Sequence, residues 1–367
     1  VNPDERYMLR CLDLAALGRW QVRGNPMVGA LLVARGQVIG EGYHRAWGQP
    51  HAEIEALNAV KPAHRDWIRE STLYVNLEPC SHHGKTPPCS ARIAREGIPR
   101  VVVGMTDPNP KVAGRGFAML REAGCEIITN VMELECRLLN RAFVCRMENK
   151  RPWVLLKWAQ SADGFLTAAD ARPIRLTGAW SDRLVHEWRA QFGAILVGAR
   201  TVLQDDPQLR ARPSFAGPSP QRALPHVQPI VQPLRIVLDR YGQLPQEARV
   251  FDGQAPTLVV RSPDLPPERY LLPNAEVMAI QYDGKLLPKL LAALAEREIN
   301  SLLVEGGAAT HEAFIRANLW DEIRIFKSEI PIGPANTQNS VKAPRPPGQC
   351  LEIHSIGNDT LERRVPE

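Results

Sequence analysis

The sequence has no run of about 18 consecutive apolar residues, the length a membrane-spanning helix needs, so no spanning segment is expected. It has no block of five or more Lys/Arg, and so no arm for nucleic acid. The net charge of +5 is modest for the chain, and suits a phosphorylated small molecule at least as well as a polynucleotide. The first residues, Val1-Asn2-Pro3-Asp4-Glu5, lack the basic and apolar pattern of a signal peptide. The seven cysteines are an odd number, which argues against a secreted disulfide framework and for a reducing cytoplasm. There is no internal repeat. What is present is ordinary for a globular chain, 44% hydrophobic and 23% charged. Its 367 residues exceed the roughly 250–300 that one core usually spans, so two domains are expected.

Asn2, Pro3 and Glu5 form a capping-box-like start for an amphipathic helix running toward Leu17. Residues 28–33 and 38–42 read as paired strands around the turn Ala34-Arg35-Gly36-Gln37. Helical periodicity over 52–60, 90–96 and 117–123 alternates with apolar runs at 73–77 and 101–104, the rhythm of an α/β layer fold. The polar segment Glu148-Asn149-Lys150-Arg151-Pro152 marks a boundary, giving domains 1–147 and 148–367. Strands then follow at 153–159, 194–197, 234–238, 257–260 and 301–304, with a helix at 290–296. The Pro-rich stretches 213–233 and 331–349 read as irregular.

His51-Ala52-Glu53, followed by Pro79-Cys80 and then Cys89, matches the zinc deaminase pattern of H-x-E, P-C and a second Cys. Hydrolytic zinc needs three protein ligands and one open position. His51, Cys80 and Cys89 supply an imidazole and two thiolates, and zinc there lowers the pKa of a water toward about 7. Glu53 is then the general acid/base rather than a ligand. The eight residues between the two cysteines depart from the usual two, and that insertion carries His82 and Lys85. The other five cysteines read as small buried hydrophobes. His64, His226 and His354 read as surface residues.

The segment P-C-S-H-H-G-K-T-P-P-C resembles the deaminase half of the bifunctional RibD family of riboflavin biosynthesis. Asn25-Pro26-Met27-Val28-Gly29-Ala30, Gly42-Tyr43-His44 and Asp107-Pro108-Asn109-Pro110 agree. The second half is similar to the family's reductase through Lys157, Ser161-Ala162-Asp163-Gly164, Ile195-Leu196-Val197-Gly198, Thr201 to Pro207 and Val304-Glu305-Gly306-Gly307. The resemblance implies a cytidine-deaminase-like three-layer αβα domain and a dihydrofolate-reductase-like α/β domain. It implies zinc, one ion per chain, and NADPH as cofactors. The chemistry implied is removal of the 2-amino group of a 2,5-diamino-6-phosphoribosylamino-pyrimidinone, then reduction of ribosyl to ribityl.

By the same resemblance, Asn25, His44, His82, Lys85, Asp107 and Asn109 line the deaminase pocket. Ala159, Thr201 and Asp205 match NADP positions, with Arg175 toward the 2′-phosphate. Gly306 and Gly307 let the backbone approach the cofactor's phosphates at a helix start. Lys157, Asp163, Arg189, Leu209, Arg212 and Glu305 match the reductase substrate side, where Arg189 and Arg212 suit a phosphate. A small-molecule enzyme forming a homo-oligomer, dimer or tetramer, is expected, with no nucleic acid and no membrane as partner. Residues Pro173-Ile174-Arg175-Leu176-Thr177-Gly178 stand where the family often has Ser-x-Trp-Ile-Thr-Ser, which leaves open an active deaminase with an altered reductase. A tRNA-editing type of deaminase and a metal-stabilised structural protein are further readings, against which stand the modest charge and Glu53.

Overall fold

The computed structural model describes residues 2–22, 24–81, 87–110, 112–167, 174–213, 230–332 and 340–367. The chain divides into two compact units, Val1–Lys150 and Arg151–Glu367. In the first, α1 (Pro3–Ala16) begins as its sequence indicates. The Asn2 Oδ1 accepts from the backbone N–H of Asp4 and Glu5, and the Glu5 carboxylate accepts from the Asn2 N–H. Strands β1 (Gly29–Ala34) and β2 (Gln37–Tyr43) pair antiparallel through a turn in which Arg35 and Gly36 both take positive φ, 51° and 72°. Then come α2 (Ala52–Asn58), β3 (Thr72–Leu77), α3 (Cys89–Glu96), β4 (Arg100–Met105), α4 (Arg115–Glu122), β5 (Glu126–Ile128), α5 (Glu133–Leu139) and α6 (Arg141–Asn149). The sheet order is β2-β1-β3-β4-β5, antiparallel at β1 and parallel from β3 onward.

Strand alternation makes this sheet the middle of three layers. Ala30, Leu32, Leu73, Val75, Val101 and Val103 pack with Ala56 and Leu57 of α2, Ile93 of α3 and Phe117 of α4. Leu31, Val33, Tyr74 and Val102 pack on the other face with Met8, Cys11 and Leu14 of α1 and Cys136 of α5. The sequence reading missed the 3-10 stretch Pro62–Glu70 and both α5 and α6. The expected second-domain start at 148 falls inside α6, which runs to Asn149. Arg151 already belongs to the second unit through a bidentate pair with Asp321 at 2.6 and 2.7 Å.

The second unit holds β6 (Trp153–Gln160), β7 (Phe165–Thr167), α7 (Ala179–Gln191), β8 (Ala194–Gly198), α8 (Ala199–Asp205), β9 (Leu234–Leu238), β10 (Thr257–Arg261), β11 (Glu276–Ala279), α9 (Leu286–Glu296), β12 (Ser301–Val304), α10 (Ala308–Arg316), β13 (Glu322–Lys327), β14 (Val341–Lys342), β15 (Gln349–Ile356) and β16 (Asp359–Val365). Nine strands form one sheet, β11-β10-β9-β8-β12-β6-β13-β16-β15, parallel except where β16 joins β13 and β15. Buried runs such as Ala194 to Val197 and Leu302 to Val304 fit strands covered on both faces. Residues 214–229 of the expected Pro-rich loop lie outside the described residues. Within 331–349 a short strand, β14, pairs with β7.

Gly42 shows how closely α2 lies on β2. A Cβ there would stand 2.5 Å from both the Ala56 nitrogen and the Glu55 Cβ. Gly42→Ala is expected to destabilise the first unit by about 1–3 kcal/mol, the range for overpacking a tight interior. The check is the shift in urea midpoint at unchanged slope.

Candidate active sites

In the first unit two helix starts and a strand end converge. His51 occupies the N-cap of α2, Cys89 opens α3, and Cys80 follows β3. Their donor atoms all lie within 4.8 Å of one another, with His51 Nδ1 3.6 Å from Cys80 Sγ and 3.3 Å from Cys89 Sγ. The Cys89 N–H donates to Cys80 Sγ at 3.3 Å, as the free amides of a helix start favour. Cys80 is drawn down to about 4 by its hydrogen bond with the Cys89 thiol, against burial, and His51 adds to the effect. Cys89 is pushed up by the same contact and by burial, and the Cys80 bond lifts His51 to about 9. A cation would displace these shared protons.

Glu53, in the first turn of α2, is 3% exposed, and its Oε2 has no hydrogen-bond partner among the described residues. Burial raises its pKa, so the carboxyl can hold a proton. One imidazole, two thiolates and an unpartnered buried carboxyl oxygen fit a catalytic zinc with its acid/base.

The His44 ring meets the His51 ring edge-on, with centroids 5.5 Å apart. Burial lowers the His44 pKa, so the ring is neutral near pH 7. Its Nδ1–H donates to the Pro50 carbonyl at 3.2 Å, which leaves Nε2 to accept from Asn25 Nδ2 at 3.1 Å. The structure thus brings Asn25 and His44 to the triad. Asp107 accepts from the Asn109 N–H at 2.8 Å. Their loop is held by Glu78, which the sequence reading missed. This buried carboxylate accepts from the N–H of Asp107 at 3.2 Å and of Gly114 and Gly116 at 3.1 Å. Its place two residues before Cys80 was the available signal. His82 and Lys85 lie outside the described residues. Cys11, Cys125, Cys136 and Cys145 are buried, whereas Cys350 is exposed on the edge strand β15.

In the second unit the chain leaves adjacent strands β8 and β12 toward opposite sides of the sheet, the arrangement that opens a crevice at the strand ends. Thr201 and Asp205 lie on α8, directly after β8, and Glu305, Gly306 and Gly307 lie between β12 and α10. Among the described residues, a Cβ on Gly307 would meet Thr201 Oγ1 alone, at 3.9 Å, beside the amides that open α10. That fits a cofactor phosphate. Lys157 and Ala159 share one face of β6, beside β12.

Arg189 forks onto Glu305 at 2.6 and 2.7 Å through Nε and Nη2. Burial opposes the Glu305 charge, yet Arg189 and then Lys157 outweigh it, and the carboxyl falls to about 2. Burial lowers the Lys157 amine, with Glu305 opposing. Arg189 and His186 both reach the Arg210 carbonyl, anchoring the loop of buried Leu209 and exposed Arg212 to α7. Asp163 accepts from Ser161 Oγ and the Ile332 N–H, which ties it to a turn. Arg175 pairs with Asp182 at the surface. His311, also missed, touches the carbonyls of Gly307, Lys157 and Val304 at 3.1, 3.1 and 3.2 Å.

Residues 1–105 match the cytidine and deoxycytidylate deaminase zinc-binding region, and residues 152–361 match the RibD C-terminal domain. The riboflavin biosynthesis protein RibD of Aquifex aeolicus is 36% identical over 99% of this chain and 93% of its own, and that of Escherichia coli is 38% identical over 88% and 87%. Among solved structures, Acinetobacter baumannii RibD superposes with a TM-score of 0.86 at 32% identity, covering 99% of both chains. A Thermotoga maritima protein described as a diaminohydroxyphosphoribosylaminopyrimidine deaminase/5-amino-6-(5-phosphoribosylamino)uracil reductase gives 0.83 at 33% identity, again over 99% of both.

Fold and sites therefore define a zinc deaminase fused to an NADPH-dependent reductase, with the two α/β domains that the motifs implied. The chain belongs to the RibD family of riboflavin biosynthesis.

Purified protein is expected to carry about one zinc per chain. Cys80→Ser and Cys89→Ser are each expected to lose metal and ammonia release together. Elemental analysis of the two variants checks this, and full zinc occupancy in both would overturn the ligand assignment.

Proposed function

We propose that the first domain hydrolyses 2,5-diamino-6-(5-phosphoribosylamino)pyrimidin-4-one to 5-amino-6-(5-phosphoribosylamino)uracil, and that the second reduces the ribosyl unit to ribityl with NADPH. The observation that carries the reading is the partnerless buried Glu53 oxygen beside the His51–Cys80–Cys89 cluster. Zinc, when bound by these three residues, supplies a water of lowered pKa. Glu53 would carry one proton from the attacking water to the ring nitrogen, then carry the second from the added hydroxyl to the amino group, which leaves as ammonia while that hydroxyl oxygen becomes the carbonyl. Asn25 and His44, with Asp107 and Asn109 on the loop that Glu78 holds, orient the pyrimidine. His82 and Lys85 are assigned to the same pocket.

In the second domain Thr201, Gly306 and Gly307 are assigned to the cofactor's phosphates, and Ala159, Asp205 and Arg175 to the same cofactor. When bound, NADPH supplies a hydride for C1′ of the ring-opened ribosylamine. Lys157 and Arg212 hold the phosphorylated substrate, while the Arg189–Glu305 pair fixes the floor beneath it. Asp163 and Leu209 shape that pocket from the turn and the loop they occupy.

We also propose a cytoplasmic homo-oligomer, a dimer or tetramer, with no nucleic-acid or membrane partner. No disulfide joins cysteines among the described residues, which suits a reducing compartment. Strand β15 ends the large sheet with Leu351 and Ile353 exposed, an edge that a second copy could cover. No helix among the described residues is long and apolar enough to cross a membrane.

Glu53→Gln separates the two activities. It is expected to keep zinc and lose ammonia release by about 10²-fold or more. Reduction of already deaminated substrate, followed as NADPH absorbance, should continue at nearly the parental rate. A collapse of that rate would sink the assignment of two separate sites.

A further inference from the structure

Residues 106–151 fall between the two family matches, and this stretch includes α5 and α6. Asn140, at the corner between the two helices, is 2% exposed. Its amide pairs with the Met27 backbone in both directions. The Met27 N–H donates to Oδ1 at 2.8 Å, and Nδ2 donates to the Met27 carbonyl at 3.0 Å. The same carbonyl accepts from Asn76 Nδ2 at 3.0 Å, and Asn76 Oδ1 accepts from the Gly29 N–H at 2.8 Å. On the other side of Asn25, Arg146 of α6 donates to the Gly24 carbonyl at 3.3 Å.

These contacts grip the backbone on both sides of Asn25-Pro26, where strand pairing cannot. Pro26 has no N–H to donate, and β1 begins only at Gly29. Side-chain amides therefore take the place of a ladder. The held segment then reaches the site by two routes. The His44 N–H donates to the Val28 carbonyl at 2.9 Å, and Asn25 Nδ2 lies 3.1 Å from His44 Nε2.

We infer that Asn140, backed by Asn76 and Arg146, is a positioning residue for deamination. It fixes where Asn25 and His44 stand beside the metal-binding cluster. The inference rests on the reading that Asn25 lines the pyrimidine pocket. Asn140→Asp keeps the shape and the acceptor for the Met27 N–H, removes the donor, and faces the Met27 carbonyl with a carboxylate oxygen.

The test uses the zinc-loaded full chain, with ammonia release as the assay. Asn140→Asp is expected to lower kcat/KM about tenfold, as a sub-ångström misplacement of an orienting group does, with zinc content unchanged. In an Asn25→Ala background the same change should cost clearly less, about threefold, because only the route through the Val28 carbonyl and the His44 N–H remains. Arg146→Met leaves the buried amide intact and serves as the second variant, with a loss of about threefold and the same non-additivity. Equal losses with and without the Asn25 side chain, or no loss in either variant, would overturn the inference while leaving the pocket reading in place. A silent Asn25→Ala would instead overturn the pocket reading, and the inference with it.

Discussion

Holding two sulfurs and an imidazole nitrogen within 4.8 Å of one another is unfavourable unless shared protons or a cation neutralise them. The first unit is arranged around that requirement. Two helices start at the cluster, where unsatisfied amides favour thiolate, and one of them carries Glu53 into a buried position beside it. The approach of α2 to β2 requires the bare backbone of Gly42. Glu78 then fastens the Asp107 loop to the strand end that delivers Cys80.

The second unit meets a comparable difficulty by another route. The Glu305 side chain, only 8% exposed, follows the end of β12, and an unpaired carboxylate there would be costly. Arg189 satisfies it with a fork of two short bonds, and Lys157 adds a second positive field. The pair also fixes the Leu209–Arg212 loop through the Arg210 carbonyl. His311 joins the helix start at Gly307 to β6 and β12 through three carbonyl contacts. A rigid charged floor of this kind suits a reaction in which the protein mainly orients two bound partners.

Much of this was legible in the residues themselves. The H-x-E and P-C spacing marked the triad and Glu53 because metal chemistry restricts both residue type and order. The capping box at Asn2 and the β1–β2 turn were legible because their signals are local. The supports were not. Asn140 and Met27 lie 113 positions apart, and Arg189 and Glu305 lie 116 apart. No local pattern announces such contacts. The C-terminal hairpin β15–β16 was also overlooked, although Gly357, with φ 62°, sits at its turn. Strand β15 is exposed along nearly its whole length, so burial imposes little pattern on it. For Arg189 the residue type suggested a phosphate partner, and the structure adds a carboxylate distant in sequence, Glu305, onto which its Nε and Nη2 fork.

The central claim is that one chain carries both chemistries. The most direct measurement is the product mass from purified zinc-loaded protein and the diamino substrate, with and without NADPH. Without NADPH, the expected product is heavier by about one dalton, as an amino group gives way to oxygen. With NADPH, it should gain about two daltons more, as hydride and proton add to the opened sugar. A product that stops at the first mass when NADPH is present would contradict the account.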